Sequence, residues 1–184
     1  MKLLLIIDDY LPHSTKVGSK MMHELALELK NNNHEVLVLT PKPKQKKLLI
    51  IQKIDGISVL FFRSGEIKNV GRVKRAINES LLSYQAFKSS KKYLKENHCD
   101  GIIYFSPSIF FGCLVKKLTK LWNCKSYLIL RDIFPQWAVD NNLINENSLV
   151  HKYFSFFEKI NYQSADKIGV MSKYNLDFFK SKKY

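Results

Sequence analysis

The chain has 184 residues, of which 46% are hydrophobic and 12% aromatic, values typical of a folded domain and not of a disordered chain. Lysine and arginine number 30 against 16 aspartates and glutamates, which gives a net charge of +14. This charge favours polyanionic partners: nucleic acid, anionic lipid headgroups or phosphorylated substrates. The net charge alone does not distinguish these partners, and an AT-rich genome is an alternative explanation for part of the excess of basic residues.

No apolar segment is long enough for a secretory leader or a membrane span. The first apolar run, over 3–7, stops at two aspartates. The three cysteines, Cys99, Cys113 and Cys124, are odd in number and lack metal-ligand spacing, so free thiols in a reducing compartment are expected. The sequence therefore predicts a cytoplasmic protein that is able to associate with a membrane surface.

The first forty residues alternate between strand and helix. An apolar strand is predicted over 2–7, and a polar loop containing Gly18 follows over 8–18. Apolar residues then recur at helical spacing over 19–32, and a second strand follows over 35–40. This order is one βαβ unit.

The middle of the chain predicts a hairpin and then a helical region. Two β-like runs over 48–54 and 57–62 flank Asp55 and Gly56, a pair typical of a two-residue hairpin turn. Residues 66–97 are mostly polar, with apolar side chains at helical spacing.

The second half of the chain alternates like the first. Strands are predicted over 101–105, 127–130 and 167–171, and helices over 109–122 and 149–162. Because strands and helices alternate, the predicted fold class is α/β: a doubly wound, mostly parallel Rossmann-like sheet. No repeat or linker divides the chain, so a single domain is expected.

Three finer predictions concern local environments in this half. The run over 127–130 has no polar alternation, which is typical of a strand buried on both faces. Ser172 is the expected cap of a final helix. Glu158 and Asp166 straddle a predicted helix end and are expected at the surface.

A charged pair, Arg131 and Asp132, directly follows the strand over 127–130. Pro135 prevents that strand from continuing. In open α/β sheets, ligands bind outside the carboxyl ends of the strands. The pair, with Trp137 nearby, is therefore a candidate ligand site; the alternative is a solvated loop pair with local hydrogen bonds.

The loop after the first strand lies where doubly wound folds bind phosphates. It contains neither G-x-G-x-x-G nor G-x-x-x-x-G-K-[ST], which excludes a dinucleotide fingerprint and a P-loop. Gly18 stands at the start of a helix between Lys16 and Lys20, so backbone amides there are candidates for holding an anion. The alternative is a tight turn that requires a glycine.

A basic stretch with interleaved valines, KNVGRVKR, occupies 68–75. Its cationic side chains are candidates for a surface that binds anionic lipid, and the alternative is a solvated helix face. These residues are Lys68, Arg72, Lys74 and Arg75.

Several other site classes are not predicted. The five histidines have no H-E-x-x-H or H-x-x-x-H spacing, so no metal site is expected. The serines around Pro107 lack the G-x-S-x-G pattern of a hydrolase elbow. The basic residues are spread along the chain without a helix-turn-helix, OB or RRM signature, so a nucleic-acid-binding module stays a less favoured alternative.

Five motifs in order carry a family resemblance. They are YLPHSTKVGSK with the later NHEVLVLT, KIDGISVLFFR, FSPSIFFG, RDIFPQWAVD and FFEKINYQSADKIGVMSKY. Together they resemble the N-terminal half of a family 4 glycosyltransferase with the GT-B fold. The similarity is closest to the WbuB-like and WcaI-like sugar transferases of bacterial O-antigen, capsule and colanic-acid pathways, and it covers essentially the whole chain. Asn33 and the pair Gln136-Trp137 depart from the family pattern.

The resemblance implies that 1–184 is the acceptor-side Rossmann-like domain of such an enzyme. Family members are about twice as long, and their second domain, which carries paired glutamates for the nucleotide sugar, is not in this sequence. The implied reaction is a retaining, metal-independent hexosyl or N-acetylhexosaminyl transfer that uses no cofactor. The donor is a nucleotide sugar, expected to be a UDP-sugar, and the acceptor is an undecaprenyl-type lipid-linked sugar. The chain alone is expected to be inactive.

The resemblance also implies roles for single residues. Arg131 and Asp132 become the expected catalytic pair, lining the cleft against acceptor or sugar hydroxyls. Gly18 lets the backbone approach the donor phosphates. The other expected donor- or acceptor-binding residues are His13, Lys16, Ser106 and Trp137.

The resemblance also makes the basic charge of the chain and the region 68–95 an expected docking surface for the inner face of the cell membrane, where a peripheral location is expected. An alternative is a non-catalytic membrane-surface half that recruits a separate donor-binding subunit.

Overall fold

Seven strands and seven helices alternate within the described part of the chain. The structure is a computed structural model that describes residues 1–182, with side chains described for residues 1–180. The strands are β1 (Lys2–Ile6), β2 (Glu35–Pro43), β3 (Leu49–Ile54), β4 (Ile57–Ser64), β5 (Gly101–Ser106), β6 (Lys125–Leu130) and β7 (Lys167–Val170). The helices are α1 (Val17–Asn31), α2 (Arg72–Ser80), α3 (Leu82–Glu96), α4 (Gly112–Trp122), α5 (Gln136–Asp140), α6 (Leu149–Gln163) and α7 (Lys173–Lys182).

All the strands belong to one sheet, in the order β3-β4-β2-β1-β5-β6-β7. Neighbouring strands are parallel except β3 and β4, which form an antiparallel hairpin. Its turn residues Asp55 and Gly56 both have positive φ, 48° and 78°, as a primed two-residue turn requires. The predicted α/β class, hairpin and doubly wound, mostly parallel Rossmann-like sheet are confirmed.

Helices cover the two faces of the sheet unequally. On one face α1 packs through Met22 and Ala26 against a cluster that includes Leu5 of β1. On the other face α3, α4 and α6 pack on the cluster that includes Leu4 of β1. Parallel crossovers are right-handed, so a connection to one side of β1 puts its helix on one face and a connection to the other side uses the opposite face.

The expectation that 127–130 is buried on both faces is wrong. Tyr127 is 41% exposed, and Ile129 is only partly buried. The helices α4 and α6, which connect β5 to β6 and β6 to β7, pack on the opposite face, whereas the cluster on the side of Tyr127 receives its helical side chains from α1. The apolar run therefore correctly predicts a strand of the sheet, but it does not show that helices cover both faces of this strand.

Other local predictions have mixed outcomes. The hydroxyl of Ser172 accepts from the backbone N–H of Asn175, which confirms the cap. Asn33, where the resembled family has a glycine, has a φ of 62°, a conformation that asparagine tolerates. Glu158 was expected at the surface, and this is wrong because α6 presents it to the interior at 5% exposure.

A close approach between α4 and α6 depends on one glycine. A Cβ added at Gly112 would lie 2.7 Å from Cα of Asn161. In the same region the Tyr104 hydroxyl donates to the Asn161 carbonyl at 2.6 Å. These contacts hold the C-terminal part of α6 against α4 and β5.

We expect Gly112→Ala to lower the free energy of unfolding by about 1–3 kcal/mol, because the added methyl group meets backbone atoms that cannot rotate away. The control is Gly71→Ala, where a Cβ meets nothing within 4 Å; its effect should stay within about 1 kcal/mol. Urea denaturation measures both. Equal stability of the Gly112→Ala variant and the native chain would contradict the close approach.

Candidate functional site

The candidate site lies at the carboxyl edge of the sheet, where β1 and β5 run side by side. The connection after β1 goes to one face through α1, and the connection after β5 goes to the other through α4. Such a switch point opens a crevice between the two loops. The register pairs Ile6 with Tyr104 and Ser106 with Leu130, so the loops after β1, β5 and β6 meet at this edge.

A buried carboxylate, Asp9, organises the loops around the crevice. Its Oδ2 accepts from the Ser14 hydroxyl at 2.5 Å and from Nζ of Lys68 at 2.6 Å. Nζ of Lys16 lies 3.9 Å from the same oxygen. The Asp9 backbone carbonyl accepts from the Ser19 hydroxyl at 3.1 Å. Asp9 therefore joins the β1–α1 loop, the start of α1 and the loop after β4.

The neighbouring carboxyl, Asp8, is a perturbed acid at the same edge. Burial raises its pKa above the ordinary aspartate value; the charge of Lys16 opposes the shift and that of Asp9 adds to it. Burial also raises the pKa of Glu79 on α2, with Arg75 opposing and Asp8 contributing. Acids with raised pKa values in a crevice are candidates for binding or proton transfer. Sequence reasoning missed Asp8 and Asp9, although two adjacent aspartates at a strand end in a basic protein are a usable signal.

The start of α1 faces the crevice. Gly18 lies in the first turn, and a Cβ there would come within 2.9 Å of the Phe105 ring, so this glycine lets the helix sit on β5. The first turn holds no acidic residue, and Lys16 and Lys20 are exposed beside it. Free N–H groups, the helix dipole and two cations make this end favourable for an anion.

The pair after β6 reaches the same edge with both side chains exposed. The Arg131 guanidinium lies 3.5 Å from Sδ of Met21 on α1, so it extends over the sheet towards the first turns of that helix. Asp132 bonds locally through its backbone carbonyl, which accepts from Phe134. Its carboxylate is left to face solvent. Trp137 is 43% exposed on α5 and packs beside Phe134.

Two serines after β5 are buried hydroxyls without a hydrogen-bond partner among the described residues. Ser106 is fully buried, and Ser108 is 8% exposed. A buried hydroxyl left unpaired is unfavourable, so each is a candidate to bond a ligand or a water molecule. Ser106 was a sequence candidate, whereas Ser108 was not.

His13 is placed differently from the rest of the site. Its ring packs edge-on against Phe61 of β4, at 5.6 Å between centroids. Burial and the charge of Lys42 lower its pKa below the ordinary histidine value. The position of His13 is at the β2–β4 side of the edge, while the Arg131–Asp132 pair is at the β6 side.

A cleft of about 550 Å³ lies beside α1. It is lined by Lys16 and Lys20, which flank the first turn of α1, by His23 and by Asp55, and it does not include Arg131 or Asp132. There His23 bridges the Tyr10 hydroxyl and the Asp55 carboxylate, each at 2.8 Å. This contact fastens α1 to the β3–β4 turn. In residues 1–180 no three His, Cys, Asp or Glu side chains come together as a metal would require.

Comparison with solved structures shows the fold. The catalytic domain of starch synthase IV from Arabidopsis thaliana bound to ADP and acarbose matches at 13% identity and a TM-score of 0.54, over 71% of this chain and 34% of that one. Sucrose-phosphate synthase from Thermosynechococcus elongatus matches at 13% identity and a TM-score of 0.68, over 98% of this chain and 44% of that one. A second structure of that synthase matches at 14% identity and a TM-score of 0.62, over 98% and 81% of the two chains.

The fold is one half of the GT-B fold. The chain spans about a third of the starch synthase chain and less than half of the longer sucrose-phosphate synthase chain. A scan against protein-family models finds no match, and a search of the curated proteins finds none. The family 4 and WbuB-like resemblance therefore stays a prediction. The proposed function rests on the fold and on the chemistry of the crevice.

Asp8→Asn should stabilise the chain at neutral pH. The folded pKa of Asp8 is raised, so its ionisation costs stability as the pH rises through that pKa, and the amide avoids this cost. The advantage should vanish below about pH 4, where the unfolded carboxyl is also protonated. Asp132→Asn, the same change at an exposed carboxylate, is the control and should alter stability little. Thermal melting across pH measures both, and a destabilised Asp8→Asn at neutral pH would contradict the assignment.

Proposed function

We propose that the chain is the acceptor-side domain of a nucleotide-sugar-dependent glycosyltransferase. The observation that carries this proposal is the charged crevice at the carboxyl edge of one half of a GT-B fold. Anionic, cationic and unpaired hydroxyl groups converge there: Asp8, Asp9, Lys16, Ser106, Ser108, Arg131 and Asp132.

The α1 end of the crevice suits the phosphates of a donor. Lys16 and Lys20 supply positive charge, and the N–H groups of the first turn of α1 favour an anion at this end of the helix. The Gly18–Phe105 contact keeps this turn against the sheet, so that the groups are fixed before a ligand arrives. Preorganised donors of this kind stabilise charge that develops on a departing nucleoside diphosphate.

The β6 end of the crevice suits sugar hydroxyls. A carboxylate such as Asp132 accepts hydrogen bonds from them, and the Arg131 guanidinium donates to their oxygens. Trp137 offers an exposed ring on which a sugar can stack. We assign acceptor binding and orientation to this end, with Asp132 as the group that contacts the reacting hydroxyl.

A second domain has to close the cleft for transfer to occur. A single wall cannot hold donor and acceptor in contact, and positioning supplies a large part of the rate of a bimolecular reaction. The proposed unit is therefore this chain together with a donor-side domain that binds a UDP-sugar. We propose retention at the anomeric carbon and an acceptor sugar on a polyprenyl pyrophosphate, for use in bacterial surface polysaccharide.

Asp132→Ala should lower sugar transfer by at least about a hundredfold in an assay that combines the chain with its donor-side domain, UDP-sugar and lipid-linked acceptor, because the acceptor hydroxyl loses its oriented contact. Glu28→Ala is the control, since Glu28 is an exposed carboxylate at the far end of α1. The melting temperature of both variants should equal that of the native chain. Normal turnover by Asp132→Ala would reject the role of this residue.

The isolated chain should transfer no sugar from any UDP-sugar, since it supplies one wall of the cleft. Radiolabelled donor and extraction of the lipid product test this directly. Transfer by the chain alone would contradict the proposed division of labour between the two domains.

A further inference from the structure

One histidine joins three parts of the chain that are distant in sequence. His23 lies on α1, and its Nδ1 is 2.8 Å from the hydroxyl of Tyr10 in the β1–α1 loop. Its Nε2 is 2.8 Å from Oδ2 of Asp55 in the β3–β4 turn. Tyr10 is 2% exposed and His23 6%, so both partners of the Tyr10–His23 hydrogen bond are shielded from water.

The partners of the His23 ring determine which of its nitrogens carries the proton. A carboxylate only accepts hydrogen bonds, so Nε2 must carry a hydrogen and donate it to Asp55. In the neutral ring Nδ1 is then a bare acceptor, and the Tyr10 hydroxyl donates to it. Burial raises the pKa of Tyr10, and the charge of Asp55 adds to the shift, so the phenol keeps this proton near neutral pH. The neutral ring therefore satisfies both neighbours at once.

Protonation of His23 would reverse one of these two bonds. Both nitrogens of an imidazolium ring donate, so Nδ1 would offer a hydrogen to the Tyr10 oxygen and could no longer accept one. The Tyr10 hydroxyl makes no other hydrogen bond to the described residues. Its hydrogen would be buried without an acceptor, which is unfavourable. Tyr10 therefore has to move away from its buried position when the ring is charged.

Charges of both signs surround the His23 ring. The Asp55 carboxylate favours the charged ring, but its side chain is 68% exposed, so solvent weakens the attraction. Nζ of Lys30 donates to the Asp55 carbonyl at 3.2 Å and opposes a further positive charge there. The other charged groups that line the cleft beside the ring are Lys16, Lys20 and Glu24. Because cations and carboxylates oppose one another around the ring, its charge can follow the pH.

The position of Tyr10 bears directly on the crevice. Tyr10 follows Asp8 and Asp9 in the chain, the two acids at the carboxyl end of β1. The Asp9 carbonyl accepts from the Ser19 hydroxyl at 3.1 Å, which fixes this segment to α1 from one side. The Tyr10–His23 bond is a second attachment of the same segment to α1.

We propose that His23 is a positioning residue of the crevice: as a neutral ring it holds Tyr10 and the two preceding acids in place, and on protonation it releases them. The β1–α1 loop is then ordered at neutral and higher pH and loosened in acid. The inference concerns the position of this loop and needs no sugar transfer, so its failure would leave the proposed transferase reaction untouched.

The test is an NMR titration of the isotope-labelled full chain from about pH 8 to about pH 5, the range in which histidine changes its charge. At the high-pH end, the ring nitrogen shifts of His23 should show a hydrogen on Nε2 and none on Nδ1. As the ring takes up its second proton, the amide signals of Asp9 and Ser14 should shift with the same midpoint. The exposed His98 ring should titrate with a midpoint that these amides do not follow.

Matched substitutions separate this role from the loss of a packed side chain. His23→Gln keeps a donor and an acceptor but does not titrate, so the Asp9 amide should keep its high-pH position throughout. His23→Phe keeps a ring without hydrogen bonds and should give the low-pH position at every pH. Tyr10→Phe removes the hydroxyl hydrogen that would be left without an acceptor, so the pH-dependent step at Asp9 should be lost.

Two control variants remove the other titrating groups of this region. His13→Gln changes a histidine of the same loop, and Asp8→Asn changes the acid beside Asp9. Both variants should retain the step that follows the His23 ring. Circular dichroism melting checks that every variant folds.

Three results would overturn the inference. They are a hydrogen on Nδ1 of His23 at the high-pH end, amide shifts at Asp9 that do not follow the His23 ring, and an unchanged step in Tyr10→Phe. Loss of the step in His13→Gln would assign the pH dependence to that histidine and leave His23 with a structural role alone.

Discussion

The candidate site depends on the hydrogen bond and the ion pairs that the Asp9 carboxylate makes. A buried carboxylate is stable only when its charge is paired and its lone pairs are bonded, and breaking such a pair costs about 3–5 kcal/mol. Ser14 and Lys68 meet that requirement, and Lys16 lies within range. The same charge adds to the raised pKa of Asp8. One buried acid therefore fixes two loops, positions the start of α1 and helps to raise the pKa of the neighbouring Asp8.

Sequence, topology and proposed function can each be described at the carboxyl edge of the sheet. At the level of sequence, strands end in polar residues where apolar runs stop. At the level of topology, β1 and β5 send their helices to opposite faces, so the loops part and a crevice opens. In the proposed function, the cations Lys16 and Lys20 lie at one end of the crevice, and the groups assigned to sugar hydroxyls lie at the other.

Much of this architecture could be predicted from local sequence, because the local signals agree with the fold. The run EVLVLT gives a buried parallel strand, Asp55-Gly56 gives the hairpin turn, and Arg131-Asp132 stands at the end of β6. What could not be predicted depends on contacts distant in sequence. Lys68 lies 59 residues from Asp9, and Tyr153 lies 77 from Ala76. Periodicity also cannot tell which face of a strand a helix will cover, so the exposure of Tyr127 was missed.

The most direct test of the central claim, that the carboxyl edge binds substrate, is an NMR titration of the isotope-labelled chain with UDP-glucose and with a short-chain prenyl pyrophosphate-linked sugar. Amide shifts should change at Asp8, Ser106 and Asp132, and they should stay constant at His98 and Asn123 on the opposite edge of the sheet. Changes confined to that opposite edge would contradict the claim.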